Sequence, residues 1–443
     1  MKRILLIGRG PLPSDSEPQL GFSQLRTQAF YLTLRDAGHA VRLLLLVPDA
    51  VENTPPQDWE GIVQVQEDGP GWIDHARSYQ SGAEIIVSAG PYNPGRLAAA
   101  IAEEQPLWID IPGDPLSELQ ALSAVAPTPL DASQVAAAHS GVLQVLTRAD
   151  ALSVISGPQR HATIGQLGLI GRLLEPDSTP PVHVLPITHS WDIPGAPPRS
   201  PAPGEPTVLA LSGAFNPWFD EAALITALDI AFSKRSDLHV VCTGGGIPDF
   251  YEAAYTRFST WAKNHPDRVQ LLGWLPHEEM ATALHQAHAG ICLDRPGPEP
   301  ELGSRTRLLL FAHMGLQCLS TAKCSLAINW AEAGALLALD NTDPRLIGEQ
   351  LASFQVNPDM ADRAQKLAQS DFNLDAVMPP LLAWVEHPVR TQTTATPSAV
   401  MAAELDANRN ELARIYGSPS WQALNRIHAL GTATIDRLKD RSK

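Results

Sequence analysis

The chain has 443 residues, more than one ordinary hydrophobic core accommodates, so two or three domains are expected. Its apolar content of 44% and charged content of 18% are typical of a soluble globular protein, and its net charge of -16 argues against a nucleic-acid-binding surface. No stretch approaches the roughly 18 apolar residues that a membrane span requires.

The cysteines and the first residues bear on the cellular compartment. The opening MKRILLIG resembles a short signal sequence, but its apolar run meets Gly8 and Gly10 at once, so a first β-strand explains it better. Four cysteines lie singly in apolar stretches without metal-ligand spacing, which indicates reduced core thiols: Cys242, Cys292, Cys318 and Cys324. A cytoplasmic protein is therefore expected.

In the first half, short apolar runs alternate with amphipathic stretches. The predicted strands cover residues 3–8, 40–47, 84–90 and 106–113, and the clearest helix is QLRTQAFYLTLRDAG, residues 24–38, closed by Gly38. Continuous apolar runs are typical of strands buried on both faces, and their alternation with helices predicts a parallel α/β sheet. Residues 1–193 thus form a first domain.

The same pattern begins again after a proline-dense stretch at 194–206, which we predict to be a linker. Predicted strands at 207–213, 238–246, 269–276 and 289–294 alternate with helices at 220–235 and 277–287. The expected fold is α/β, with two tandem Rossmann-like doubly wound domains facing each other across a cleft and a helical C-terminal tail. The second domain covers 207–370, a helical segment at 371–389 returns to the first domain, and 390–443 form a linker and the tail.

In parallel sheets, ligands bind beyond the carboxyl ends of the strands. The loop GRGPLP after the first strand offers Gly8 and Gly10, but Pro13 stands where a dinucleotide fingerprint needs its third glycine. The glycines either form a tight turn without a ligand or let a substrate approach the backbone. Ser23 and Arg26, at the start of the next helix, either meet a polar substrate or are solvated.

The loops of the second half offer more polar groups. SGAFNPWFD supplies Gly213 and Asn216, and TGGG at 243–246 exposes backbone N–H groups that suit a phosphate or simply form a flexible turn. Trp274 either lines a base pocket or is a half-buried core tryptophan.

The stretch ELGSRTRLLLFAHMGL, residues 301–316, places two arginines where a helix begins, with Ser304 as its expected N-cap. A helix N-terminus is already partially positive, so Arg305 and Arg307 are unfavourable there without an anion. Ser304, Thr306 and the first N–H groups of the helix add donors. A diphosphate offers enough oxygens for both guanidinium groups. The alternative is that the arginines form surface ion pairs with Glu299, Glu301 or Asp294.

The two tandem domains, the linker and the anion site resemble GT-B glycosyltransferases, especially bacterial retaining enzymes of glycosyltransferase family 4 (group 1). The resemblance runs along most of the first 385 residues. Its motifs, in chain order, are WIDIPGDPLSELQAL at 108–122, ADALSVISGPQRHATIGQLGLIGRL at 149–173, GAFNPWFDEAALITAL from 213, and GSRTRLLLFAHMGLQCLST from 303.

The resemblance implies a sugar transfer from a nucleoside-diphosphate donor, with retention at the anomeric carbon, no cofactor and no metal. It implies that Arg305 and Arg307 meet the diphosphate and that Glu299 or Glu301, whose register is ambiguous, lies near the sugar. The implied donor-binding residues are Gly213, Phe215, Asn216, Thr243, Gly244, Trp274, Ser304 and Thr306. The implied acceptor-binding residues are Gly10, Ser23, Arg26, Asp110 and Asp114.

One position departs from the family pattern. The family places a second acid, held to bind the ribose, early in the helix that follows the anion site, and the matching position here is Leu310. The ribose is then held by another group, or the donor binds weakly. Two alternative functions stay open: a catalytically impaired nucleotide-sugar-binding accessory protein, and an epimerase or phosphorylase of the same architecture.

The tail resembles a segment that trails surface-polysaccharide glycosyltransferases, which suggests polysaccharide or glycoconjugate biosynthesis with a glycan or lipid-linked acceptor. From Asn410 onward it carries six Lys and Arg residues against three acidic residues. Trp421, Leu424, Ile427 and Leu430 form an apolar stripe. A basic amphipathic helix of this kind binds a membrane surface or a partner protein, or packs on its own body. The expected location is the cytoplasm, with peripheral contact at the inner membrane face.

Overall fold

The computed structural model describes residues 1–12, 21–49, 58–68, 71–90, 92–172, 181–188, 193–247, 251–340, 342–391, 414–415 and 418–421. The chain divides into two compact units, Met1–Gln166 with Pro176–Thr391, and Leu167–Glu175 with Gln392–Lys443. Most of the predicted tail lies outside the described residues. No helix within the described ranges is both long and apolar enough to cross a membrane.

The first unit begins with a seven-stranded parallel sheet. Its strands are β1 (Arg3–Arg9), β2 (Ala40–Val47), β3 (Gly61–Gln66), β4 (Ile85–Ser88), β5 (Leu107–Ile111), β6 (Ala151–Val154) and β7 (Val182–Val184), in the order β3-β2-β1-β4-β5-β6-β7. The helices between them are α1 (Phe22–Asp36), α2 (Trp72–Ser78), α3 (Asn93–Ile101), α4 (Pro115–Val125), α5 (Ala132–Arg148) and α6 (Gly157–Leu169). Strands such as β4 and β5 are buried along their whole length, as their continuous apolar runs predicted.

A second parallel sheet has six strands in the order β10-β9-β8-β11-β12-β13. They are β8 (Thr207–Ser212), β9 (Leu238–Thr243), β10 (Val269–Gly273), β11 (Ala289–Cys292), β12 (Gln317–Ser320) and β13 (Leu336–Ala338). Its helices are α7 (Glu221–Lys234), α8 (Ala253–Ala262), α9 (His277–Leu284), α10 (Pro298–Leu302), α11 (Thr306–His313), α12 (Ser325–Glu332), α13 (Pro344–Ser353) and α14 (Pro358–Asp371). The predicted pair of doubly wound domains is confirmed.

In each sheet, successive strands are first added on one side of the first strand and then on its other side. β1 pairs with both β2 and β4 in the first sheet, and β8 pairs with both β9 and β11 in the second. Loops at such a switch point leave a crevice beyond the carboxyl ends of the strands. The loop after β8 is therefore where a ligand is expected in the second domain.

The last helices, α15 (Leu374–Val377) and α16 (Pro379–Glu386), pack on the first sheet rather than on the second. Leu381 and Val385 are completely buried in one hydrophobic cluster with Ile4 and Leu6 of β1. Trp384 lies edge-on to Trp108 of β5, with ring centroids 5.5 Å apart. The chain thus crosses between the domains twice.

The proline-dense segment at 194–206 forms neither helix nor strand, but it is held against the second domain. Ala196 donates its N–H to the carbonyl of His313 at 3.4 Å, and its own carbonyl accepts from Gln365 at 2.9 Å. Hydrogen bonds from the backbone of Ala196 to α11 and α14 therefore hold the predicted linker against the second domain.

The helix that contains Arg307 begins one residue later than expected. Arg305, with an extended backbone (φ −127°, ψ 91°), occupies the N-cap position of α11, and no side chain caps the helix. Ser304 was predicted to be the N-cap and is not. Because of this offset, Arg305 lies outside the helix with an extended backbone, whereas Arg307 lies in its first turn.

Candidate active site

A cleft of about 250 Å³ lies at the carboxyl ends of β8, β9 and β10 and is closed on its other side by the first domain. It is lined by most of the residues predicted to bind a donor: Gly213, Asn216, Thr243, Gly244, Trp274, Ser304 and Thr306. Glu299, Arg305, Arg307 and Leu310 line it as well. The first domain contributes Gly21, Phe22, Leu25, Pro112, Gly113, Glu118, Ile155 and Ile187.

Two glycines form the floor of the cleft. Gly213 and Gly244 both have positive φ, 86° and 99°, and a Cβ atom on Gly244 would lie 2.4 Å from the carbonyl oxygen of Gly213. The N–H of Gly244 donates to the carbonyl of Gly273 at 2.6 Å, so it is not free to bind a phosphate. These glycines let the loops after β8 and β9 contact each other, and no side chain from either glycine enters the cleft.

Two aromatic residues of the donor side have different positions. Trp274 is partly exposed on the cleft wall, and its indole N–H donates to the carbonyl of Gly246 at 3.1 Å. Phe215 is only 2% exposed and does not line the cleft. Its ring packs against those of Phe219 and Phe258, with centroids 4.8 and 5.2 Å away. The expected contact of Phe215 with a donor is therefore replaced by a place in the core.

Arg305 is buried between two carboxylates. Its Nε donates to Asp294 Oδ1 at 2.6 Å, while Nη2 and Nη1 donate to Glu299 Oε2 and Oε1 at 2.7 and 3.1 Å. Burial opposes its charge, but the two carboxylates more than offset this and raise the pKa of Arg305. The ion-pair alternative thus holds for Arg305, in the cleft wall rather than at the surface, and most of its donors are occupied.

Arg307, two residues later, stays available. Its Nη2 donates to the carbonyl of Ala214 at 2.7 Å, and its guanidinium carbon lies 5.2 Å from the ring centroid of Phe219. It is partly exposed in the cleft, and it forms no ion pair with any residue that the structure describes. A cation held at this position without a carboxylate partner suits an anionic ligand.

The structure distinguishes the two candidate acids before α11. Glu299 is 5% exposed and lines the cleft, whereas Glu301 is exposed and does not line it. Burial raises the pKa of Glu299, although Arg305 works in the opposite direction. Glu299 is therefore the acid of this pair that a bound donor would meet.

The residues predicted to bind an acceptor do not line this cleft. Arg26 and Asp110 have completely buried side chains that bind each other, Nε to Oδ2 at 2.9 Å and Nη2 to Oδ1 at 2.8 Å. Arg26 also donates to the carbonyls of Leu185 and Pro186. This pair joins α1 to β5 inside the first domain, and neither residue lines the cleft.

The other three acceptor candidates also have local roles. Asp114 is the N-cap of α4, with Oδ1 accepting from the Ser117 N–H at 2.7 Å and Oδ2 accepting from Gln166 at 2.9 Å. Gly10 is buried, and its N–H donates to the carbonyl of Leu46. The carbonyl of Ser23 accepts from the hydroxyl of Thr27 within α1. Asp110 and Asp114 line a separate cavity of about 240 Å³ between α3, α5 and α6.

The first-domain wall of the cleft was missed by sequence reasoning. It is formed by Phe22 and Leu25 at the start of α1 and by Glu118 in α4. A signal for Glu118 exists in the DPxxE pattern at 114–118, where an N-cap aspartate and a proline begin a helix and fix the acid in its first turn. Nothing in that pattern shows that the acid faces another domain.

Several solved structures share this architecture. Sucrose-phosphate synthase from Thermosynechococcus elongatus matches with a TM-score of 0.62 and 16% identity, over 87% of this chain and 98% of that one. HepE from Anabaena, in complex with UDP and glucose, matches with a TM-score of 0.60 and 12% identity, over 87% of this chain and 100% of that one. A UDP-forming trehalose-phosphate synthase from Burkholderia xenovorans matches with a TM-score of 0.59 and 9% identity, over 87% of this chain and 99% of that one. No family model and no curated protein matches the chain.

The chain therefore has the GT-B fold, two Rossmann-like domains with a cleft between them. Identities of this size establish the fold and no more. The expected resemblance to GT-B glycosyltransferases is confirmed at that level, and the resemblance to glycosyltransferase family 4 stays a prediction.

Proposed function

We propose that this protein is a glycosyltransferase that moves a sugar from a nucleoside-diphosphate donor to a glycan, lipid-linked or other acceptor. The proposal includes retention at the anomeric carbon, independence of metal ions and a role in surface polysaccharide or glycoconjugate synthesis, all of which the family resemblance implies. The GT-B fold and the UDP and UDP-glucose bound to HepE support a nucleotide sugar as the ligand class.

Arg307 is the observation that carries the proposal. It is a partly exposed guanidinium in the cleft, without an ion-pair partner among the described residues, and it lies in the first turn of α11. The helix N-terminus and the guanidinium are both directed at the same anionic charge. Donor groups fixed in advance stabilise the charge that the leaving diphosphate accumulates in the transition state.

The remaining lining divides the tasks of donor binding. Gly213 and Gly244 keep the floor open to the diphosphate, and Trp274 offers an apolar face to a base. Glu299, with both oxygens held by Arg305, presents a fixed acid edge to the hydroxyls of the transferred sugar. In this arrangement Arg305 positions Glu299, while Arg307 contacts the donor.

Leu310 favours a second candidate, an accessory protein that binds a nucleotide sugar without transferring it. Leu310 lines the cleft one turn beyond Thr306 and Arg307, and its side chain offers no acceptor to ribose hydroxyls. Donor binding without formation of free nucleoside diphosphate would support this candidate over the transferase.

The test is a thermal-shift screen with a panel of nucleotide sugars, followed by calorimetric titration of the nucleoside diphosphate that stabilises the protein most. Arg307→Ala should weaken that binding by about 1.5–3 kcal/mol, the range for a hydrogen bond to a charged group. Arg345→Ala is the matched control, since Arg345 is an exposed arginine of the same domain that lies outside the cleft. Equal affinities for Arg307→Ala and the control would contradict the diphosphate assignment.

A further inference from the structure

Glu118 faces the donor side of the cleft from the opposite domain. It belongs to the first turn of α4, and it lines the same cleft as Glu299, Arg305 and Arg307. Glu118 has no part in the proposed binding of the donor. An acid on the wall that faces the donor is placed to meet whatever attacks the donor sugar.

The local structure holds the Glu118 carboxylate in a defined position. The Tyr92 hydroxyl donates to Oε2, and Tyr92 itself has φ 61° and ψ −118°, a conformation that a residue other than glycine rarely adopts. On the other side, a Cβ atom on Gly113 would lie 2.5 Å from Oε1, so the absence of a side chain on Gly113 leaves room for the carboxylate in this position. Tyr92 and Gly113, which both have positive φ, thus lie on either side of the Glu118 carboxylate.

One oxygen of Glu118 has no hydrogen-bond partner among the residues that the structure describes. Oε1 accepts no hydrogen bond from the described residues, and the carboxylate is partly exposed beside Gly113 on the cleft wall. Glu299 differs, because both of its oxygens accept from Arg305. Of these two acids, Glu118 is therefore the one with an oxygen available to accept a hydrogen bond from a bound molecule.

Burial and the neighbouring charges bring the pKa of Glu118 close to neutral pH. Burial raises its pKa to about 7, opposed by the hydrogen bond from Tyr92 and by Arg305. The carboxylates of Glu299 and Asp114 raise it further. These groups come from the start of α3, the N-cap of α4, α10 and the N-cap of α11. A base poised near the working pH is effective in proton transfer.

We propose that Glu118 is a catalytic base that takes the proton of the attacking acceptor hydroxyl, and that Tyr92 positions it. The proposal rests on the transferase function proposed above. The hydroxyl oxygen bonds to the anomeric carbon on the face from which the diphosphate leaves, as retention requires. Its O–H bond breaks, and the proton moves to Oε1 of Glu118. The bond from the anomeric carbon to the diphosphate oxygen breaks, and its electron pair leaves with the nucleoside diphosphate.

The test follows the release of UDP and glucose from UDP-glucose with water as the acceptor, because the same proton must leave the attacking water. Glu118→Gln keeps the shape and removes the base, so turnover should fall by roughly 10²–10⁴-fold while the affinity for UDP stays within about twofold. Glu103→Gln, an exposed acid of the same domain outside the cleft, is the matched control.

The pH profile provides the second readout. With the native chain, kcat/KM should rise about tenfold per pH unit below pH 7 and level off above it. Tyr92→Phe removes a hydrogen bond that lowers the pKa of Glu118, so the midpoint should move to higher pH. A residue with a purely structural role would not move it.

The results separate this proposal from the proposed function. If the native protein binds UDP and releases glucose, and Glu118→Gln releases glucose at the same rate, then the proposed role of Glu118 as a base is wrong. The proposed glycosyltransferase function is not affected by that result. The same holds if the midpoint in Tyr92→Phe is unchanged. If the native protein neither binds UDP nor turns over UDP-glucose, both proposals fail for this donor.

Discussion

Arg305 and Glu299 form a two-pronged ion pair in the wall of the cleft, with Nη1 and Nη2 donating to the two carboxylate oxygens at 3.1 and 2.7 Å. Asp294 Oδ1 accepts from Nε of the same guanidinium at 2.6 Å, while Oδ2 of Asp294 has no hydrogen-bond partner among the described residues. One buried cation therefore neutralises part of two buried carboxylates, and the group acts as a unit.

Arg305→Ala should destabilise the protein strongly, because it leaves Asp294 and Glu299 buried without their cation. Breaking a buried pair in this way costs about 3–5 kcal/mol. Arg307→Ala removes a partly exposed group without an ion pair among the described residues, so its cost should stay below about 1 kcal/mol. Urea unfolding of both variants measures the difference. Similar losses in the two variants would show that the buried triad does not stabilise the fold.

Gly244→Ala should damage the floor of the cleft. The new Cβ would lie 2.4 Å from the carbonyl oxygen of Gly213, and the backbone there has φ 99°, which an alanine adopts only at a cost of about 1–3 kcal/mol. Gly245→Ala is the neighbouring control, since its Cβ would meet Tyr255 at an ordinary 3.4 Å.

Both glycine variants are compared by melting temperature and by their affinity for UDP. We expect Gly244→Ala to melt earlier and bind UDP more weakly, while Gly245→Ala stays near the native protein. Native-like behaviour of Gly244→Ala would mean that the loops after β8 and β9 can separate without consequence.

Local rules were sufficient for the second-domain side of the cleft. Gly213 and Trp274 directly follow parallel strands and Thr243 ends one, and the carboxyl ends of such strands meet at one edge of the sheet. Their approximate position therefore followed from the strand pattern. The same rule placed Ser304 and the arginines after β11.

Contacts between distant segments could not be predicted in this way. Arg26 looks like a polar residue at a helix start, but its partner Asp110 lies 84 residues later, on the far side of the switch in strand order. Arg305 and Arg307 have the same chemistry, and only the extended backbone at Arg305 turns its side chain inward. Glu118 reaches the cleft through the arrangement of the two domains, which no local pattern encodes.

The raised pKa of Glu118 predicts how stability changes with pH. Its pKa rises from 4.5 to about 7 on folding, so between these values the folded state binds more protons than the unfolded state. Stability should therefore fall as pH rises through this window and change no further from this group above it. Glu299, whose pKa is also raised, contributes in the same direction.

Glu118→Gln tests this relationship without reference to activity. The glutamine cannot ionise, so the decline in melting temperature between about pH 4.5 and 7 should be shallower than in the native protein. The same series with Glu103→Gln should keep the native slope. An unchanged slope in Glu118→Gln would show that this carboxyl titrates as an ordinary surface acid.

Leu310 decides whether a ribose contact has been lost or replaced. Its side chain is 4% exposed and belongs to a hydrophobic cluster with Leu308 and Phe311, yet it also lines the cleft. Leu310→Glu would bury a carboxylate among apolar side chains, with Arg307, three residues earlier, as its neighbour on the helix face. We expect a lower melting temperature and weaker binding of UDP, because the new acid competes with the diphosphate for Arg307.

Leu310→Gln is the matched control, since it has the same shape as the glutamate without its charge. It should lower the melting temperature less and leave the affinity for UDP closer to the native value. The comparison uses UDP and inorganic pyrophosphate, because only UDP carries a ribose. Tighter binding of UDP but not of pyrophosphate by Leu310→Glu would contradict this expectation. It would mean that the ribose hydroxyls lack a protein partner in the native chain and accept one at this position.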